Sequence, residues 1–391
     1  MRRQAVDARY SALYVYFFLY FIVNGLTTFL PKYYGEVGMT DSQIGMLTSI
    51  PCLLAVSFMP LMGALSDRVS KKRYLLALWL LMMAGISFVT VGRGSFWALL
   101  VAMSLYVTFG VAVSPIANTI SLEYCQSSGR PFGPIRLMGT VGYQAGVMLI
   151  AIVLTHSLRN LYLVMGIVLL ASCAATFFMP NVEGHQHNAA KVPVRAIFAD
   201  RHVCWLLGLI LFATVSTQFY ESFFTKHLGD LGMSNTSASW ITMLTVLPEI
   251  PFLFFGDRII RRTNVWNWLL IGILLNGVRW LGLAVCTTPL SILCFQAVGV
   301  SVMACFEFVP AFYLARRVAA EQSGTAQSLL GLTTFGVAKI IGGLLGGLIC
   351  EHTGIPAVFA FNGAALLMGG VIFWKPTRRL IREEESAQVG V

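Results

Sequence analysis

Charge is what this sequence has little of. Of its 391 residues, 11% are charged and 57% are hydrophobic. A soluble domain carries roughly 25% charged residues, so a single core wrapped in a water-facing surface is excluded. No GxxxxGK[ST] loop is present, which excludes a phosphate-cradling nucleotide motor within this sequence. The eight cysteines (Cys52, Cys125, Cys173, Cys204, Cys286, Cys294, Cys305 and Cys350) form no CxxC and lie in or beside apolar runs. They read as small core hydrophobes, not as a redox or zinc framework. His185 and His187 have no third ligand nearby and read as part of a solvated loop. No nucleophile–base pair or metal cluster stands out, so the reading is not an enzyme. No cleavable signal is expected either. The first apolar run is too long for one and no A-x-A site follows it.

What is there is apolar sequence in long runs. Twelve are found: 10–30, 44–65, 74–91, 96–120, 136–156, 161–178, 203–224, 238–255, 266–286, 290–313, 325–350 and 355–374. Each is close to the roughly 20 residues that cross a bilayer core as a helix. Backbone groups in lipid must be satisfied within the segment, and the runs lack the alternation of a membrane barrel, so all twelve are expected to be helices. The expected class is an all-α polytopic membrane protein. The net charge of +10 is distributed by side, not by patch. Of 27 Lys and Arg, 20 lie in the termini and the even-numbered loops, four in odd loops (Lys32, Arg93, Arg159, Lys226) and three within spans. By the positive-inside rule both termini are expected in the cytoplasm. The basic balance therefore orients the chain in lipid and calls for no nucleic acid.

One long polar connection, NVEGHQHNAAKVPVRAIFADRH at 181–202, separates six runs from six. It divides the chain into an N-terminal half (1–180), a cytoplasmic linker (181–202) and a C-terminal half with a short basic tail (203–391). The loop between the second and third spans reads GALSDRVSKKR, 63–73. Gly63 permits close backbone approach. Asp67 can face the positive end of a helix. Arg68 and the basic residues up to Arg73 hold the loop on the cytoplasmic side. A degenerate copy, FFGDRIIRRTN, occupies 254–264 and keeps Asp257, Arg258, Arg261 and Arg262. This loop and its repeat resemble the signature loop of the major facilitator superfamily. The resemblance implies two six-helix halves, transport by alternating access, a site at mid-membrane between the halves, and a gating role for Gly63, Asp67, Arg68 and Arg73.

Charged side chains inside spans are expensive and are functional candidates by default. The cations are Arg136, Arg279 and Lys339; the acids are Glu221, Glu249 and Glu307. Arg136 stands in FGPIRLMGTVGY, 132–143, followed by Gly139, Gly142 and Gly146. This stretch resembles the start of the fifth helix in the superfamily branch that holds lactose permease, the oligosaccharide and nucleoside:proton symporters and phenylpropionate permease. The resemblance implies that Arg136 contacts substrate and that Tyr143 stacks on it. In lactose permease the arginine partners a glutamate three residues after a proline on the fourth helix. Here Pro115 leads to Asn118, which can hydrogen-bond a solute but cannot neutralise Arg136.

In the second half, Glu249 in PEIPF, Arg279 in NGVRWLG and Glu307 in CFEFVP fit the branch's helix 8 glutamate, helix 9 arginine and proton-carrying helix 10 glutamate. The histidine expected before the last is replaced by Ala304. A carboxyl in a low-dielectric cavity has its pKa raised, and an approaching arginine lowers it. Glu307 with Arg279 is therefore the candidate proton-coupling pair, and Glu249 the alternative carrier. Glu221 and Lys339 read as a charge pair. Asn24, the polar exception in an aromatic first span, is a further candidate contact. The glycines of FGVAKIIGGLLGG form overlapping GxxxG pairs for close helix packing.

The function these readings imply is proton symport of a small organic solute. A sugar or oligosaccharide, a nucleoside and an aromatic acid all remain open. The alternatives are proton-antiport efflux and a non-transporting receptor on the same fold. No cofactor is expected beyond the proton gradient. The expected partners are the solute, the proton and lipid, and the expected setting is a monomer in a bacterial inner membrane.

Overall fold

The computed structural model describes residues 2–69, 71–180, 200–245, 264–299, 305–306, 309–318, 326 and 329–389. Among these the elements are helices joined by short turns, with no strand. The longer ones are α1 (Arg2–Thr27), α2 (Leu30–Glu36), α3 (Asp41–Arg68), α4 (Lys72–Thr90), α5 (Phe96–Gly110), α6 (Val113–Ser128), α7 (Gly133–Val153) and α8 (Leu161–Thr176). Then follow α9 (Arg201–Asp230), α10 (Asn235–Leu244), α11 (Val265–Val285), α12 (Pro289–Gln296), α13 (Val309–Arg317), α14 (Leu329–Thr353) and α15 (Ile355–Val389). Nine segments among the described residues are long and apolar enough to cross a membrane.

Local sequence accounts for many of the boundaries. Thr40 and Gln43 close a reciprocal capping box at the start of α3. Pro31, Pro134 and Pro289 sit in the first turns of α2, α7 and α12, where a missing N–H leaves nothing unpaired. Gly129 ends α6 at φ +69°, a left-handed position that glycine takes without a Cβ clash. Two expected spans have different limits from the apolar runs. The run 96–120 is broken at Val111 and Ala112 and continues to Ser128. Pro115 supplies no N–H to the turn before it, which favours a break there. The last run, 355–374, belongs to one 35-residue helix that continues through the basic tail to Val389.

The chain forms two compact units. The first comprises Met1–Asn188 with Phe224–Trp240, and the second Ala189–Phe223 with Ile241–Val391. Residues 224–240 thus join the first unit, whereas a cut at the linker alone would assign them to the second half. Their polar contacts explain why. Lys226 Nζ lies 3.1 Å from Asp41 Oδ1, a charge contact rather than a directed hydrogen bond, and donates to Asp230 at 2.7 Å. Lys32 Nζ donates to the Met233 carbonyl at 3.0 Å. Asn235 Nδ2 donates to the Leu154 carbonyl at 2.7 Å, and Thr225 Oγ1 to the Thr28 carbonyl at 3.0 Å. The two lysine stems each lie over a glycine, Lys32 over Gly229 and Lys226 over Gly35.

Within the first unit, α1 and α7 are in backbone contact. A Cβ at Gly142 would enter the Phe18 carbonyl, and one at Gly146 the Ile22 carbonyl. The spacing of four residues puts both on one helix face, as small-xxx-small packing requires. The second unit repeats the device between α9 and α14. There Gly342 meets the Val215 carbonyl and Gly346 the Phe219 ring.

Candidate functional site

Each unit holds a cation of its own, and the two are built differently. In the first unit, α7 places Arg136, Gly139 and Tyr143 at i, i+3 and i+7, on one face. On α1, Phe17, Phe21 and Asn24 form the facing stripe, which Thr28 extends in the turn just past the helix end. The stripes touch in register. Phe17 meets Phe132 edge-on at 6.2 Å, and the Arg136 guanidinium lies 4.9 Å from the Phe21 ring centre. Further along, the Tyr143 and Thr28 hydroxyls are 3.0 Å apart. Asn24 lies half-buried between these contacts. Its amide donates to the Tyr20 carbonyl at 3.4 Å, and its own carbonyl accepts from Thr27 and Thr28.

Arg136 is exposed and meets no carboxylate among the described residues. It also stands in the first turn of α7, where the N–H groups already carry partial positive charge. A cation there opposes the helix dipole, and no acid in the described structure offsets it. Phe21 offers a ring face to the cation and so holds it loosely. The local chemistry is a planar fork of donors beside two aromatic rings and a hydroxyl pair. That set suits a ligand rich in oxygen acceptors with apolar C–H faces. Asn118 is half-buried on α6, with no hydrogen bond to Arg136.

In the second unit, Arg279 on α11 is 4% exposed. Its Nε donates to Gln296 Oε1 at 2.8 Å, and its Nη2 donates to the same oxygen. Gln296, fully buried at the end of α12, donates through Nε2 to the Tyr220 hydroxyl at 2.8 Å. The guanidinium rests on two adjoining rings, 4.8 Å from the centre of Tyr220 and 4.6 Å from that of Trp280. Trp280 is itself fixed, because its buried Nε1 donates to Ser216 Oγ at 3.0 Å. Arg279 is thus clamped from α9, α11 and α12 together. Glu307 and Glu249 lie outside the described residues.

Lys339 Nζ donates to Glu221 Oε2 at 3.2 Å, joining α14 to α9. Wide π turns, Leu332–Val337 and Ile341–Leu345, flank the lysine on α14; such turns re-aim the side chains between them. Gly63, Asp67 and Arg68 form the last turns of α3, and their side chains lie outside what is described. Arg73 begins α4 and faces the far end of α8. Its Nη1 donates to the Met179 carbonyl at 3.3 Å, and its Nη2 to the Tyr74 hydroxyl at 2.9 Å. A cation there meets the negative end of a helix.

Sequence reasoning from charges found Arg136, Arg279, Glu221 and Lys339. It missed Gln296, Tyr220 and Trp280 around Arg279, Phe21 beside Arg136, and Thr28 beside Tyr143. The uncharged clamp carries no charge signal; the one cue was an amide, Gln296, in the otherwise apolar SILCFQAVG.

The model of the MFS_1 like family matches residues 10–361. The chain is 25% identical over 363 residues to the maltose permease of Geobacillus stearothermophilus, covering 91% of each chain. It is 25% identical over 423 residues to the sucrose permease of Escherichia coli, covering 96% of each. Among solved structures, the nucleoside transporter NupG superposes with a TM-score of 0.83 at 19% identity, covering 94% of this chain and 99% of that one. At that identity the likeness shows the fold.

Proposed function

The chain belongs to the MFS_1 like family, transporters of the major facilitator type, and from that premise we propose proton symport of a di- or oligosaccharide by alternating access. It is an integral membrane permease of this family and not an enzyme. In this reading twelve helices span a bacterial cytoplasmic membrane as two repeated halves, with both termini in the cytoplasm and the protein a monomer. The proton gradient drives uptake, with no cofactor.

The observation that carries the substrate class is Arg136. Its guanidinium is exposed, opposes its own helix dipole and has no carboxylate beside it among the described residues; it lies against Phe21 and shares its helix face with Tyr143, whose hydroxyl meets that of Thr28. A sugar supplies what that face lacks. Its hydroxyl oxygens accept the two parallel N–H bonds of the fork, and its C–H faces lie on the rings. The two permeases named above carry maltose and sucrose in their names, which supports a sugar over the nucleoside or aromatic acid that the sequence left open. Asn24 and Asn118 add hydrogen bonds to the solute, and Glu249 accepts from its hydroxyls. Glu307 carries the proton and Arg279 drives its release. Glu221 and Lys339 hold α9 to α14. Gly63, Asp67, Arg68 and Arg73 gate the cytoplasmic side.

Solute-driven proton movement in proteoliposomes tests this. Maltose, sucrose, raffinose, uridine and phenylpropionate are added in turn to vesicles reporting external pH. External alkalinisation with a sugar is expected, and its loss in Arg136→Ala and Glu307→Gln. Alkalinisation with uridine or phenylpropionate alone would move the substrate class. Sugar exchange with no proton movement would end the symport reading.

A further inference from the structure

The last helix of the second unit is longer than a bilayer requires. α15 runs for 35 residues from Ile355, and about 20 residues at roughly 1.5 Å each cross the hydrocarbon core. Counted from Ile355, the core ends near Trp374 and Lys375. Two residues mark the same level. Pro376 has no N–H for the Ile372 carbonyl, a gap that interfacial water fills and hydrocarbon does not. Trp374 is exposed and carries the ring type that gathers at that boundary. Here α15 is docked along one side. Trp205 Nε1 donates to Oγ1 of the buried Thr377 at 3.1 Å. Phe373 meets Trp205 and Phe212 edge-on at 5.8 and 5.2 Å, and Leu380 and Ile381 are buried. Their spacing puts all four α15 residues on one face, so the opposite face has a fixed direction. That face carries Met368, Val371 and Ile372, and then Lys375, Arg378, Arg379 and Arg382, all exposed. The Arg378 guanidinium lies 5.0 Å from the Trp374 ring centre.

We propose that this face of α15 binds an anionic phospholipid, with an acyl chain along Met368, Val371 and Ile372 and the phosphodiester on Lys375, Arg378 and Arg379. The face changes from apolar to cationic where the core ends, as the lipid changes from chain to phosphate. The headgroup layer is about 5–8 Å deep, and Lys375 to Arg379 spans about 6 Å along the axis. Arg382, about 10 Å past Lys375, stands at its outer rim. The acids Glu383, Glu384 and Glu385 come further on in the sequence, past that layer. An arginine fork takes two phosphate oxygens at once. A zwitterionic headgroup brings its own cation to the stripe, so a net negative lipid is selected. The site requires that α15 spans the bilayer and is independent of the solute carried and of any proton coupling.

Photocrosslinking tests this. The purified protein is placed in phosphatidylcholine vesicles with equal traces of photoactivatable phosphatidylglycerol and phosphatidylcholine that differ only in headgroup, and the labelled peptides are mapped by mass spectrometry. Each cation near an anionic headgroup contributes roughly fivefold. Phosphatidylglycerol is therefore expected to label residues 368–382 at least about tenfold more than phosphatidylcholine does. In the wild type this preference should shrink as salt is raised. Combining Lys375→Gln, Arg378→Gln and Arg379→Gln should bring the ratio down to that of the other lipid-facing helices, and Arg93→Gln, on a loop of the first unit, should leave it unchanged. Three lost charges also weaken the orientation signal. The charge-keeping combination of Lys375→Arg, Arg378→Lys and Arg379→Lys is therefore read alongside and should keep most of the preference. Equal labelling by the two lipids in the wild type would overturn the site, as would a preference that survives in the glutamine variant or ignores salt.

Discussion

The two intramembrane arginines are the same residue in opposite settings. Arg136 stands exposed at a helix start, against one phenylalanine face. Arg279 is buried, bonded twice to one amide oxygen and rested on two rings. An arginine left loose can close on a ligand that comes and goes. An arginine clamped on three helices cannot follow a ligand, but it can present a fixed charge to a neighbour that changes protonation. In the function proposed above, it is this difference in holding, not in residue type, that would give one to recognition and the other to coupling.

The largest effect that would sharpen this contrast is at Arg136. Arg136→Ala is expected to lower sugar counterflow roughly a hundredfold, the scale of losing charge-assisted hydrogen bonds. Arg136→Lys should restore little of it, because an ammonium lacks the planar fork. Uptake of labelled sugar into proteoliposomes checks both, and full rescue by lysine would mean that charge alone matters there.

The face that carries Arg136 depends on α1 and α7 touching. Gly142→Leu drives a side chain into the Phe18 carbonyl. It should destabilise the protein by about 1–3 kcal/mol, as overpacking does. Gly85→Leu, where nothing lies within 4 Å, is the control and should melt like wild type.

A smaller effect is expected at the outer clasp. Lys226→Met removes the charge contacts to Asp41 and Asp230 and keeps the stem over Gly35. The loss should be about 1 kcal/mol or less and shrink as salt is raised. A large, salt-independent loss would mean that the stem packing and not the charge holds residues 224–240.

The smallest effect concerns Asp200. Burial alone would raise its pKa, but hydrogen bonds from Arg317 and from the His202 backbone outweigh this and hold it below the ordinary carboxylate value. A depressed carboxyl contributes stability that is present above the unfolded pKa, about 4, and is lost as pH falls through the folded one. Melting of the second unit should therefore weaken on acidification below about pH 4, and Asp200→Asn should flatten that part of the profile. An unchanged profile in the variant would place the acid sensitivity elsewhere.

Nine of the spans, and the ions within them, were legible because lipid leaves few options: long apolar runs become helices, and each ion within them stands out. What the sequence did not disclose follows from the same fact. Gln296 carries no formal charge, so a census of ions passes over it. The assignment of 224–240 to the first unit depends on Lys226, Asp41, Lys32 and Asn235 meeting across long sequence separations. The interruption at Val111 and Ala112 had two local cues, Gly110 and Pro115, inside a run without a charge. Glycine spacing was the informative exception. Gly142 and Gly146 both mark backbone contacts in the structure, and Gly342 and Gly346 mark close contacts to a backbone carbonyl and to the Phe219 ring.

The most direct test of the contrast is to separate exchange from accumulation in Arg136→Ala and Arg279→Ala, measured side by side in proteoliposomes with labelled maltose or sucrose. The account predicts that Arg136→Ala loses both, because the solute is no longer gripped. It predicts that Arg279→Ala keeps counterflow and loses accumulation, because the solute is gripped and the proton is not released. Loss of both activities in both variants would contradict it, and would make the two arginines parts of one binding function.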